Sequence, residues 1–148
     1  MVKVDELIRE IANQHNNYIQ KQNINIIINI DTSLTLAVNK FGIKLILENL
    51  IHNAVKYVNT KGFVEITVNN KDNYLDIRTK KSACKLAYSE IPKIFDRFYR
   101  GKNVYGNYSG VGLGLTIVKS IAEGMGGKIG CNLYEKDIIE FAVTSLAN

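Results

Sequence analysis

Four polar side chains fall on one stripe of a predicted helix in the first half of the chain. They are Asn49, Asn53, Lys56 and Tyr57, at spacings that a helix advancing about 100° per residue brings to one side. Two carboxamide oxygens one turn apart can hold a hydrated Mg²⁺, which prefers hard oxygen ligands and keeps phosphates in its shell. A lysine and a tyrosine one turn further along can reach phosphate or sugar. The stripe predicts a magnesium and phosphate site, with a solvated polar face as the alternative.

A glycine-punctuated loop leads into a second amphipathic helix later in the chain. Glycines stand at positions 106, 110, 112 and 114, and the helix that follows ends on paired glycines. Glycine lets the backbone approach an anion, while the N–H groups and the positive dipole end of the following helix face the charge. The pattern predicts phosphate binding, and a tight turn at the helix start is the alternative.

Three motifs together resemble a known family. They are N-L-I-H-N-A-V-K-Y at 49–57, I-F-D-R-F-Y-R at 94–100 and G-V-G-L-G-L at 110–115. In order and spacing they are similar to the N box, F box and second glycine box of the catalytic and ATP-binding domain of bacterial sensor histidine kinases. This HATPase_c domain belongs to the GHKL superfamily, with gyrase, Hsp90 and MutL ATPases. The F box separates the chain from gyrase-type and Hsp90-type members, and the resemblance extends from about Val4 to Leu146.

The resemblance implies ATP and Mg²⁺ as ligands and a role for each matched residue. Asn53 resembles the Mg²⁺ ligand, and Asn49 supports the metal and the phosphates. In gyrase-type ATPases a water-activating glutamate stands where this chain has Asn49, so transfer to a protein histidine fits better than hydrolysis. Lys56 and Tyr57 resemble the phosphate and ribose contacts. The positions that resemble the phosphate-framing glycine box are Gly110, Gly112, Leu113 and Gly114.

The F box supplies the catalytic candidates and a partner surface. Arg97 and Arg100 are the predicted catalytic residues, and Arg100 resembles the arginine that approaches the terminal phosphate during transfer. Phe95 and Phe98 resemble the surface that docks the dimerisation and phosphoacceptor domain, with ordinary core packing as the alternative. Residues 101–109 would form the ATP lid, which we expect to be open and mobile without ligand.

The first glycine box departs from the family pattern. Members carry D-x-G-x-G about fourteen residues before the phenylalanine of the I-F pair, with the aspartate bonded to the adenine amino group. Counting back from Phe95 places Lys81, Ala83 and Lys85 at those positions, in a stretch that we predict to be a loop also lined by Lys80. A lysine at position 81 would offer a hydrogen-bond donor to the adenine amino group, which is itself a donor and needs an acceptor. The sequence therefore predicts weak nucleotide binding with little preference between ATP and GTP, or a working site with altered base recognition.

Two functional classes stay open from the residues, and a third is weaker. The first is an active kinase domain that phosphorylates a histidine, and the second is a pseudo-catalytic module that acts by docking and regulation. An anti-sigma-like or ATPase relative is disfavoured by the F box. The chain has no H-E-x-x-x-P pattern, so His15 and His52 are not phosphoacceptors on this interpretation. The substrate histidine would lie on a dimerisation domain outside this chain, with a response regulator downstream.

Composition limits the class of protein. The 148 residues, 46% of them hydrophobic, suit a single domain over 1–148 that can bury a core. The net charge of +5 comes from scattered basic residues without interleaved aromatic side chains, so nucleic acid is not predicted as a partner. Two cysteines without metal-ligand spacing fit a reducing cytosol. With no long apolar stretch, this segment is expected to make no membrane contact. The resemblance implies that it is the cytosolic portion of a membrane-anchored sensor.

Hydrophobic periodicity predicts an α/β fold. Helices are predicted at 5–22, 41–58 and 113–125, the last closed by Gly126 and Gly127 as a left-handed cap. Short strands are predicted at 24–30, 34–38, 63–68, 74–77, 128–134 and 138–144, with a turn at 70–73. The resemblance implies a two-layer α/β sandwich, the Bergerat fold, in which three helices cover one face of a mixed sheet of about five strands.

Overall fold

The structure is a computed structural model that describes residues 2–37, 39–82, 114–134 and 137–147. The described helices are α1 (Val4–Asn13), α2 (Asn16–Lys21), α3 (Lys40–Lys56) and α4 (Gly114–Gly124). The described strands are β1 (Val2–Lys3), β2 (Asn25–Ile30), β3 (Thr35–Leu36), β4 (Phe63–Lys71), β5 (Tyr74–Lys81), β6 (Lys128–Tyr134) and β7 (Ile138–Ala147).

Within the described residues, a mixed sheet of five strands has the order β2-β4-β5-β7-β6. Strand β2 runs parallel to β4, and every other neighbouring pair is antiparallel. Alternate residues on the central strands are buried, and they join apolar residues of α1, α3 and α4 in one core cluster. The predicted α/β sandwich with a mixed five-stranded sheet is thereby confirmed. Its core holds α3 and α4 side by side, which positions the candidate site.

The first predicted helix is interrupted. Residues 5–22 form α1 and α2, separated at Gln14 and His15, where the N–H of His15 donates to the carbonyl of Ala12 at 3.0 Å. Asparagines on both sides of the break, Asn13 and Asn16, are poor helix formers because their side chains compete for backbone groups. The prediction of one continuous helix was therefore wrong.

The strand predicted at 34–38 is shorter than predicted and lies outside the five-stranded sheet. Residues Thr35–Leu36 pair antiparallel with β1, as a separate two-stranded sheet in which Val2 lies beside Leu36. Leu36 is fully buried, so this small sheet contributes to the core cluster. A pattern of alternating apolar residues identified the strand, but it carries no information on which strand will be its partner.

The hairpin between β4 and β5 has a tighter turn and a longer second strand than predicted. Asp72 and Asn73 take positive φ angles of 52° and 64°, the values of the two-residue turn that matches strand twist. The register then continues to Lys81, which pairs with Val64 and with Ile139 of β7. Lys80 and Lys81 therefore lie in β5, and their prediction as loop residues was wrong.

Helix α4 ends as predicted. Gly126 has a φ of +80°. Its N–H donates to the carbonyl of Glu123 at 3.0 Å, and the N–H of Gly127 donates to the carbonyl of Ala122 at 2.8 Å. These are the two hydrogen bonds of a Schellman cap, in which the left-handed residue is normally glycine because a Cβ is disfavoured there.

Two alanine substitutions at this cap should act in opposite directions. We expect Gly126→Ala to lower the free energy of unfolding by about 1 kcal/mol, because it forces a Cβ into the left-handed region. Gly124→Ala is the matched control, since a Cβ there meets no atom within 4 Å, and it should stabilise the domain by about 0.4–1 kcal/mol. Denaturant titration of both variants provides the measurement, and equal effects would contradict the cap assignment.

Candidate functional site

Helix α3 separates core residues from candidate site residues as its periodicity predicts. Its buried side chains include Leu47, Leu50, Ile51 and Ala54. The four candidate residues are half-buried, so they lie at the edge of the core with access to solvent: Asn49, Asn53, Lys56 and Tyr57. This partial burial is compatible with a ligand that lies along one side of the helix.

The side chain of Asn49 has a defined orientation. Its amide nitrogen donates to the carbonyl of Leu45 one turn earlier, at 2.8 Å. Its oxygen then points to the start of α4, where a Cβ on Gly114 would come within 3.3 Å of it. A carboxamide oxygen is the atom that a hard cation prefers, and a helix N-terminus favours anions. The structure therefore brings two predicted site residues, Asn49 and Gly114, into one place.

Helices α3 and α4 pack closely at both ends of their contact. A Cβ on Gly42, near the start of α3, would meet the sulfur of Met125 at 3.2 Å and Cγ2 of Ile121 at 3.3 Å. The beginning of α3 thus lies beside the end of α4, and Asn49 lies beside the start of α4. The antiparallel packing fixes the distance between the asparagine stripe of α3 (Asn49 and Asn53) and the N–H groups of the α4 N-terminus.

The side chain of Lys81, the last residue of β5, lies beside the C-terminal end of α3. Its side chain is only 8% exposed, and its ammonium donates to the carbonyl of Tyr57 at 3.0 Å. The same nitrogen lies 5.7 Å from the centre of the Tyr57 ring, within reach of a cation–π interaction. Tyr57 is the C-cap residue of α3, so the ammonium also meets the negative end of the helix dipole. These contacts stabilise a buried lysine at the position that the count back from Phe95 assigns to the first glycine box.

The end of β5 is tied to the chain that leaves α3. The hydroxyl of Ser82 donates to the side-chain oxygen of Asn59 at 2.7 Å and accepts from the N–H of Phe63 at 3.0 Å. A Cβ on Gly62 would collide with both Ser82 and Asn59, so these groups are closely packed. Lys81 is therefore held beside Tyr57 by its neighbours on the chain as well as by its own hydrogen bond.

Several sequence predictions concern residues outside the described part of the chain. They are the catalytic candidates Arg97 and Arg100, the docking candidates Phe95 and Phe98, the lid at 101–109, the glycine-box residues Gly110, Gly112 and Leu113, and the first-box positions Ala83 and Lys85. Of the predicted ligand-binding residues, the described part contains Asn49, Asn53, Lys56, Tyr57 and Gly114. A cavity of about 640 Å³ lies elsewhere, beside Asp31 and Asn70, and includes none of these five.

The histidines that sequence reasoning set aside lie against each other. The rings of His15 and His52 have centroids 5.3 Å apart with planes tilted by 45°. Partial burial lowers the pKa of each imidazole, and the charges of His15 and Lys56 lower the pKa of His52 further. His52 precedes Asn53 in the N box, which is a signal that it lies near the site, but no local pattern pairs it with His15.

The two histidines should make folding stability depend on pH near neutrality. Because each pKa lies below the unfolded value of 6.5, the unfolded chain binds more protons, and stability falls as pH drops through the folded pKa values. We expect a lower free energy of unfolding at about pH 5 than at about pH 7.5, in the range where histidine titrates. Denaturant titration at both values tests this, and His15→Gln with His52→Gln should reduce the difference. An unchanged difference in that variant would contradict the assignment.

Comparison with known proteins settles the family. A family model described as histidine kinase-, DNA gyrase B-, and HSP90-like ATPase matches residues 38–143. The chain belongs to this family. The sensor histidine kinase WalK of Bacillus subtilis (strain 168) is 33% identical over 120 residues, which are 78% of this chain and 20% of WalK. The nucleotide-free catalytic domain of the histidine kinase ThkA has a TM-score of 0.82 and 27% identity, covering 98% of this chain and 93% of that one.

Within the family, the chain is homologous to the catalytic domains of sensor histidine kinases. The structure of ThkA in complex with the response regulator protein TrrA has the same fold, with a TM-score of 0.75 and 24% identity over 97% of this chain and 41% of that one. The chain spans about a fifth or less of the length of the curated relatives. None of the helices in the described part has the length and apolar content to cross a bilayer.

Proposed function

We propose that this chain is the ATP-binding catalytic domain of a two-component sensor histidine kinase and that it holds the phosphates of MgATP between α3 and the start of α4. The observation that carries the proposal is the orientation of Asn49. Its nitrogen is bonded to its own helix, and its oxygen faces the N-terminal residue of α4. One carboxamide oxygen and one helix N-terminus converge there, which suits a cation and an anion bound together.

The residues present fit the phosphate half of a magnesium nucleotide. Asn53, one turn after Asn49 and half-buried, supplies the metal-binding oxygen, and Lys56 supplies a positive charge one turn further along. When bound, Mg²⁺ neutralises charge on the phosphates during transfer. The glycine-box residues that the sequence places before α4 complete the cradle, and Arg100 of the F box approaches the terminal phosphate.

The base half differs from the family pattern. Lys81 donates to the carbonyl of Tyr57, so its ammonium is already engaged beside the tyrosine that we assign to the nucleoside. A carboxylate would accept from the amino group of adenine, whereas an ammonium offers only donors. We therefore propose weak binding in which the phosphates and Mg²⁺ contribute most and the base contributes little.

A second function is favoured by the same lysine. If Lys81 prevents nucleotide binding altogether, the domain acts as a pseudo-catalytic module that docks on its partner and regulates it. In both cases the partner is the dimerisation and phosphoacceptor domain of the same sensor, contacted through Phe95 and Phe98, with a response regulator downstream. We propose a single domain over 1–148 that works in the cytosol, as part of a membrane-anchored sensor.

A phosphotransfer assay separates the two functions. The domain is incubated with Mg²⁺, ATP labelled at the γ-phosphate and the dimerisation domain of its own sensor, and acid-labile label on histidine is measured. The kinase function predicts labelling that disappears with Arg100→Ala and that persists with Lys128→Ala, an exposed substitution on β6 as control. Absence of label, with the two domains still associating, would support the pseudo-catalytic function and contradict the kinase.

A further inference from the structure

The two histidines of this chain form a pair between two elements that are far apart in sequence. His15 lies in the break between α1 and α2, and His52 lies within α3. Their ring centroids are 5.3 Å apart. Since the chain contains no other histidine, this contact brings its entire imidazole content to one position.

The backbones that carry the two rings are well fixed. The N–H of His15 donates to Ala12 at 3.0 Å, and its carbonyl accepts from the N–H of Ile19 at 2.9 Å. His52 stands inside the hydrogen-bonded ladder of α3, four residues before its end at Lys56. A ligand that bridges the rings would therefore meet a site whose two halves are already in place, which lowers the entropic cost of binding.

The rings are also accessible. His52 is exposed and His15 is half-buried. Among the residues that the structure describes, neither imidazole hydrogen-bonds to another group. Nitrogen lone pairs that no protein group occupies are available to an ion from solvent.

We propose that His15 and His52 form a two-imidazole site for a divalent transition metal such as Zn²⁺. A zinc ion about 2.0–2.1 Å from one nitrogen of each ring, with tetrahedral angles, places the two ring centroids about 5 Å apart. The observed centroid separation of 5.3 Å is close to this value. Imidazole suits Zn²⁺, Cu²⁺ and Ni²⁺, whereas Mg²⁺ prefers oxygen, so this site is chemically distinct from the one at Asn53.

The remaining ligands are water. In the described ranges, no cluster of three or more histidine, cysteine, aspartate or glutamate side chains could hold a metal. A site with two protein ligands binds reversibly and keeps exchangeable positions, and the charge of Lys56 one turn further along α3 weakens it. The bound ion would link the α1–α2 break to the helix that carries Asn53, and it would raise the melting temperature because it binds the folded chain selectively.

Calorimetric titration with Zn²⁺ alone, without nucleotide, tests the site. We expect one Zn²⁺ per chain, a rise in melting temperature and changed nitrogen shifts of both imidazoles in long-range ¹H–¹⁵N spectra. Binding should be lost in His15→Gln and in His52→Gln, and it should persist in the cysteine-free control Cys84→Ser with Cys131→Ser and in excess Mg²⁺.

Other outcomes would overturn the proposal. They are Zn²⁺ binding that survives either histidine substitution, binding that is lost in the cysteine-free control, or a wild-type spectrum in which Zn²⁺ leaves either imidazole unchanged. The spectrum is recorded on the wild-type chain, so the test holds even where a variant folds poorly. Because ATP takes no part, failure here leaves the nucleotide function unaffected.

Discussion

Combining Lys81→Asp with Ala83→Gly and Lys85→Gly should tighten MgATP binding about thirty- to a thousandfold. The three changes build a D-x-G-x-G pattern into a chain for which we propose a phosphate site between α3 and α4. A hydrogen bond from adenine to a carboxylate and relief of two Cβ atoms should together be worth about 2–4 kcal/mol. Lys81→Asp alone should recover only part of this, because both Cβ atoms remain. Calorimetric titration of the variants gives the affinities.

The ligand-free variant should be less stable than the wild type. Lys81→Asp removes the hydrogen bond to the carbonyl of Tyr57 and places a negative charge at the negative end of α3. Loss of a hydrogen bond from a charged group costs about 1.5–3 kcal/mol of unfolding free energy. A change that lowers stability and raises ATP affinity is the signature of a site residue, since a general packing defect would lower both.

Lys80→Asp is the matched control for the charge change. Lys80 neighbours Lys81 on β5, but it is half-buried on the other face of the sheet, with its ammonium 4.7 Å from the ring of Tyr134. The substitution Lys80→Asp should leave the affinity for MgATP nearly unchanged. Equal tightening by the two lysine substitutions would mean that the position of Lys81 has no special role in nucleotide binding.

Asn53→Ala should abolish the Mg²⁺-dependent part of nucleotide binding, both in the wild type and in the triple variant. Loss of an outer-shell partner of a metal ligand already costs about 10–100-fold in metal affinity, so loss of a ligand itself should cost at least as much. The substitution lies on a half-buried position at the edge of the core, so the domain should still fold. Titration with and without Mg²⁺ measures the effect.

Asn69→Ala controls for loss of an asparagine as such, because Asn69 is exposed on β4. It should leave the affinity and its Mg²⁺ dependence unchanged. If Asn53→Ala behaves in the same way, Asn53 is not the metal ligand, and the neighbouring Asn49 becomes the candidate.

Local sequence pattern predicted the features of the fold that depend on nearby residues. In α3 the buried Leu47 and Leu50 lie on one side and the asparagine stripe lies on another, as helical periodicity predicts. The end of α4 follows from Gly126, because few other residues tolerate its positive φ. Both features were readable because the physical cause and its effect lie within a few residues.

The features that the sequence did not predict depend on contacts between distant segments. Lys81 belongs to β5 because the pairing with Val64 and Ile139 continues to that position, and its partner Tyr57 comes from the end of α3. The count back from Phe95 to the first glycine box assigned this lysine to a loop. The contact of His15 with His52 likewise requires the interrupted first helix and its packing on α3. Neither contact has a local signal, since each arises from tertiary packing.

Titration of the wild-type chain with MgATP, MgGTP and magnesium tripolyphosphate tests the central claim most directly, because tripolyphosphate presents the phosphates without a base. We predict similar affinities for the three ligands, each weaker than about 100 μM or about −5.5 kcal/mol, and loss of all binding when Mg²⁺ is removed. Tighter binding of MgATP with clear preference over both other ligands would contradict the altered base site. Absence of binding by all three would contradict the phosphate site between α3 and α4.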